Sequence, residues 1–86
     1  MRLNLSGGAF EELDVHNMSR QQAIAAIDAK LRRLGPACYR LTVIHGYHGG
    51  TVLRDAVRSR YRSHPKVLRL ELGLNQGETV LVLRDL

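Results

Sequence analysis

Polar and apolar residues alternate over Glu12-Leu13-Asp14-Val15-His16, the pattern of a short half-buried strand. Leu13 and Val15 then share the core face, while Asp14 and His16 share the other. Asn17 follows, and asparagine accepts the positive φ that a tight turn can demand. The rhythm changes after Ser19. Ile24, Ile27, Leu31 and Leu34 recur at spacings of three and four, which predicts a helix with one apolar stripe. Ser19 and Gln22 form a capping-box pattern at its start, and Gly35 is expected to cap its end before Pro36. Tyr39–Ile44 is β-rich and largely apolar, a second strand more buried than the first. A glycine-rich turn, His45-Gly46-Tyr47-His48-Gly49-Gly50, leads into a second helix from about Thr51 to Arg62. Leu53, Ala56, Val57 and Tyr61 form its buried stripe, and His64-Pro65 closes it. Val67–Leu72 alternates again, with Leu68, Leu70 and Leu72 expected inward. After a turn at Asn75-Gln76-Gly77, the run Thr79–Leu83 is apolar on both faces and reads as a central strand.

The order is therefore βαβαββ, an α/β fold. Residues 1–10 show no period and are expected as an irregular segment before a single domain over 11–86. Because a helix follows each of the first two strands, those strands should run parallel and end on the same edge of the sheet. Ligand sites in open α/β sheets lie beyond such carboxyl ends. Asp14-x-His16 closes one strand and His45-Gly46 closes the other, beside the start of a helix whose free N–H groups attract phosphate. One detail runs against simple convergence. His45 has the parity of Leu41 and Val43, so its ring should lean towards the core, whereas His16 belongs to the polar face.

Charge sharpens this reading. The chain carries +5 overall, but residues 30–70 hold ten basic side chains against the single acid Asp55, while both flanks are net acidic. A polarised basic surface favours polyanions, although a merely solvated arginine-rich face would give the same count. Arginine outnumbers lysine eleven to two, and guanidinium forks suit bidentate phosphate contacts. Arg54, Arg58 and Arg62 fall at four-residue spacing on one helix face. No apolar run reaches a membrane span, and the first residues lack a signal-peptide core, so a soluble cytoplasmic domain is expected. The lone Cys38 cannot form an internal disulfide and reads as a small buried hydrophobe.

These residues resemble the Smr domain, the small MutS-related module. Leu13-Asp14-Val15-His16 is similar to its first motif, leucine-aspartate-aliphatic-histidine, which usually continues with the glycine that Asn17 replaces here. The stretch from His45 to Arg54 is similar to its second motif, a His-Gly, a glycine-rich loop and Leu-Arg, with one extra loop residue and His48. Gly77-Glu78-Thr79 resembles its closing Gly-x-Thr strand. The resemblance implies a two-layer α/β sandwich with two helices on one face of a four-stranded mixed sheet, like the C-terminal domain of translation initiation factor three. It also implies binding of DNA or RNA and, in several members, endonuclease or nicking activity. On this chain the residues it ties to cleavage are Asp14 and His16, and those it ties to substrate binding or cleavage are His45, Gly46 and Gly50.

Chemically, an imidazole changes charge near neutral pH and serves as general base or acid, while Asp14 could orient that ring or hold a divalent cation such as magnesium. Gly46, Gly49, Gly50 and Thr51 fit a phosphate cradle, though turn glycines are equally expected for backbone freedom alone. Tyr47 is the one aromatic placed to stack on a base. His45-x-x-His48 with Asp14 and His16 offers four zinc ligands on paper, yet structural zinc sites usually recruit cysteine. A nucleic-acid module without cleavage, docking through the basic helix face, and an enzyme acting on a small phosphorylated substrate use the same residues.

Overall fold

The computed structural model describes residues 8–46 and 51–85. Six elements follow one another: β1 (Phe10–Asp14), α1 (Arg20–Arg33), β2 (Arg40–Ile44), α2 (Val52–Tyr61), β3 (Arg69–Leu72) and β4 (Glu78–Val82). They form one mixed sheet in the order β1-β2-β4-β3. β1 and β2 run parallel, with Asp14 beside Ile44, and β4 is antiparallel to both β2 and β3. Central placement explains why Val80-Leu81-Val82 is apolar on both faces, as expected for a strand paired on each side.

The core lies on one face of this sheet. Leu41, Val43 and Leu81 meet Ala23, Ile27 and Leu31 of α1 and Val57 and Tyr61 of α2, so both helices cover the same side. The α1 stripe is centred on Ala23, Ile27 and Leu31, with Ile24 and Leu34 half-buried at its margin. Across the helices, the Tyr61 hydroxyl donates to Asp28 at 2.6 Å and Arg60 donates to the same carboxylate at 2.7 Å. This latch fixes α1 against α2.

Both signals at the start of α1 are realised. Ser19 Oγ accepts the Gln22 N–H, and Gln22 Oε1 accepts the Ser19 N–H. Its end differs from expectation: Leu34 is the cap, in extended backbone, and Gly35 does not take the left-handed conformation. The last carbonyls are met otherwise, the Leu34 N–H donating to Lys30 O and the Lys66 ammonium to Leu31 O.

β1 starts at Phe10, two residues earlier than the alternation suggests, and stops at Asp14. As an edge strand it carries Glu11 on the helix side, where Lys30 pairs with it at 3.0 Å. β3 is the other edge, and this overturns the inward placement of Leu68 and Leu72. Leu70 is half-buried, but Leu68 and Leu72 are exposed, Leu72 by 78%. α2 packs over the central β4 and leaves the outer rim of the sheet open. Among the described residues, no helix is long and apolar enough to cross a membrane.

Candidate nucleic-acid site at the strand ends

The carboxyl ends of β1 and β2 lie side by side, continuing their register beyond the strands. Val15 donates to Ile44 O at 2.9 Å, and one step further Gly46 sits against His16. A Cβ on Gly46 would lie 3.2 Å from the His16 Cβ, and its φ of +75° is one that side chains resist. Glycine is favoured here by its backbone, and a side chain would in addition press on the His16 Cβ. The two leading strand tips therefore form a single edge.

Asp14 and His16 meet, but by a different route from strand alternation. The strand ends at Asp14, and the chain turns through His16 and Asn17, with the Met18 N–H donating to Val15 O at 3.0 Å. Asn17 does not adopt the positive φ that asparagine would accept; the turn needs none. Asp14 Oδ1 accepts both the His16 backbone N–H at 3.0 Å and the ring Nδ1 at 2.5 Å. The carboxyl is held below its ordinary range, first by that backbone N–H and then by the ring. An ionised carboxylate only accepts, so Nδ1 carries the proton, and in the neutral ring Nε2 is left as a base. Both side chains are about half exposed, 51% for His16 and 52% for Asp14.

His45 behaves as its parity predicted. The residue is only 3% exposed, and both ring nitrogens are engaged: Nδ1 with Gly46 O at 2.9 Å and Nε2 with Thr79 Oγ1 at 2.9 Å. Thr79 Oγ1 also accepts from Arg58 Nε at 3.0 Å. The His45 and Gly46 N–H groups both donate to Gly77 O, which ties this strand end to the turn before β4. Thr79 carried no role in the sequence reading. Its signal was there, however: a hydroxyl at the inward parity of a Val/Leu strand must find a buried partner.

The arginine face is divided by its partners. Arg54 Nε donates to Asp55, whose carboxyl is lowered first by the Thr51 hydroxyl and then by Arg54. Thr51 thus gives its hydroxyl to Asp55 and does not cap the first turn of α2 with it, unlike Ser19 in α1. Arg58 and Arg62 line a groove of about 400 Å³ with Leu68, Leu70, Leu72 and Thr79. A larger concavity of about 860 Å³ runs between α1 and α2, but none of the strand-end residues line it. Tyr47, the stacking candidate, His48, the possible zinc ligand, and Gly49 and Gly50 of the phosphate cradle lie outside the described residues. Among the described residues, no three His, Cys, Asp or Glu side chains gather as a metal-binding group. Cys38 is fully buried, and that burial pushes its thiol up.

A family model for the Smr domain matches residues 13–83. No curated protein matches the chain. Among solved structures, the Smr domain of Thermus thermophilus MutS2 superposes with a TM-score of 0.77 at 26% identity, covering 87% of this chain and 99% of that one. The matched segment contains both strand ends, the intervening helices and the β4 threonine, and the chain belongs to the Smr domain family, known for nucleic-acid binding and nicking.

Proposed function

We propose that this domain is an endonuclease that nicks DNA or RNA by hydrolysing a phosphodiester at the Asp14–His16 pair. The observation that carries the reading is the exposed imidazole whose Nδ1–H is held by a carboxylate at the mouth of two parallel strands. Asp14 fixes the ring and its tautomer, and Nε2 faces outward to take a proton from the attacking water. The water oxygen bonds to phosphorus, the bond to the leaving oxygen breaks, and the histidine returns its proton to that oxygen. Charge on the phosphoryl oxygens is met by the Gly46, Gly49, Gly50 and Thr51 segment and the start of α2. Tyr47 stacks on a neighbouring base. His45 serves as an anchor for Gly46 in this scheme, since both its nitrogens already have partners. Arg54, Arg58 and Arg62 extend the footprint along the backbone, a contact without base information.

The test is cleavage of supercoiled DNA and of structured RNA by wild type, Asp14→Ala and His16→Ala, each with and without EDTA. Wild type nicks and both variants do not, while all three bind alike. Cutting by both variants at the wild-type rate removes the pair from the chemistry. Binding by all three with no cutting by any leaves the alternative, a docking module that uses its basic helix face. In either case affinity falls with added salt, with a logarithmic slope of about −0.9 per duplex phosphate neutralised, which an enzyme for a small phosphorylated substrate would not match.

A further inference from the structure

We infer that Arg58 is a positioning residue for the strand-end site, acting through Thr79 and His45 on Gly46. The inference rests on the functional reading above for its effect on cleavage, but the relay itself is argued from geometry. Gly46 O only accepts, so the His45 Nδ1 at 2.9 Å must carry a proton and donate to it. In the neutral ring Nε2 is then an acceptor, and the Thr79 hydroxyl, 2.9 Å away, donates to it. The same hydroxyl oxygen accepts from Arg58 Nε at 3.0 Å. Every bond in the chain Arg58 to Thr79 to His45 to Gly46 thus runs in one direction, and each donor fixes the next.

The middle of the chain is sealed. Thr79 is 1% exposed, so its hydroxyl has no solvent to turn towards. Arg58 occupies one lone pair and directs the hydroxyl proton at the ring. Without that donor the sealed hydroxyl keeps an unmet lone pair and is freer to rotate, so its bond to Nε2 weakens while Gly46 O still holds the proton on Nδ1. The ring that anchors Gly46 is then held on one side only, at the point where Gly46 abuts the His16 Cβ. The relay connects a guanidinium on the basic helix face to the alignment of the Asp14–His16 pair across three elements. Charge and alignment are separable functions of Arg58, because lysine retains the first and lacks the Nε donor of the second.

The test uses Arg58→Lys, Thr79→Val and Thr79→Ser in the full chain. Two-bond proton–nitrogen correlation spectra of the imidazoles read the His45 tautomer directly, and cleavage and affinity are measured alongside. Wild type and Thr79→Ser show His45 protonated on Nδ1 with Nε2 hydrogen-bonded; in Arg58→Lys and Thr79→Val the proton stays on Nδ1 and the Nε2 resonance moves towards that of a free acceptor nitrogen. The turnover rate of Arg58→Lys falls about tenfold, the effect of one lost aligning hydrogen bond, with affinity within about twofold. A wild-type ring protonated on Nε2, or a His45 signal unmoved in Arg58→Lys, overturns the relay. Lower affinity with unchanged turnover in Arg58→Lys also overturns it, making Arg58 a phosphate contact and nothing more. If wild type cuts nothing, the functional reading falls while the spectra still decide the relay. If Thr79→Val does not fold, Arg58→Lys carries the test alone.

Discussion

Two histidines close two neighbouring parallel strands, and they meet opposite fates. His16 is half exposed, with its Nδ1 on a carboxylate; His45 is buried with both nitrogens committed. The difference comes from where each strand stops. β2 is central, and its pleat carries inward parity through Ile44 to His45, whose ring lands under β4 beside Thr79. β1 is an edge strand that ends at Asp14, so His16 falls in a turn and escapes the core. Chemistry needs the ring that solvent and substrate can reach, while order needs the ring that nothing can reach. The same side chain serves both ends because imidazole is at once donor and acceptor.

The largest expected contrast is functional. His16→Ala lowers the nicking rate by about 10²–10⁴-fold, the ordinary contribution of a positioned general base, yet changes folding stability by less than ~1 kcal/mol. Plasmid relaxation kinetics and urea titration of the same preparation check the two numbers together. His45→Ala reverses the pattern in stability: it leaves a cavity and strips partners from Thr79 and Gly46, costing about 2–4 kcal/mol. A His45 variant as stable as wild type would break the distinction between the two rings.

Much of this could be read in the chain beforehand, for identifiable reasons. Ser19 and Gln22 specify the start of α1 by local hydrogen bonds alone, and local rules transfer directly from sequence. The doubly apolar β4 and the inward parity of His45 follow from pleat geometry. What was misread depends on tertiary neighbours. Leu68 and Leu72 have the right parity, but parity does not say whether a helix covers the rim. Gly35 follows a helix without supplying a left-handed cap, because Lys66, distant in sequence, satisfies a terminal carbonyl instead. Asparagine at 17 would accept a positive φ, but the Asp14 side chain organises that turn through the His16 N–H without one. Thr79 was visible only as part of a motif; its partners lie 34 and 21 residues away.

Gly46 is where the two histidines communicate, and a single methyl group tests it. Gly46→Ala must hold φ near +75° with a side chain and press its Cβ towards that of His16. The backbone penalty is about 1–2 kcal/mol per left-handed residue, with the close contact adding to it. We expect a loss of that size in urea unfolding, together with weakened coupling between the Asp14 and His16 resonances. A neutral Gly46→Ala would mean that the two strand ends are independent.

The smallest effect concerns the pair itself, and its sign is fixed by the direction in which Asp14 is shifted. Its folded carboxyl sits below the ordinary value, chiefly through the His16 backbone N–H and then the ring. A depressed folded pKa contributes stability that is fully present above the unfolded value of about 3.9 and fades as pH falls through the folded value. Asp14→Asn keeps an acceptor for the backbone N–H and removes only the charge. Wild type should therefore exceed Asp14→Asn above a pH of about 3.9, by a margin below ~1 kcal/mol for so exposed a pair. That margin should shrink once the pH drops under about 3.9. Urea midpoints for both proteins across the acid range measure it. A margin that persists unchanged into strong acid would show that the carboxylate charge does not hold His16, leaving the ring to be oriented by the turn and by Gly46 alone.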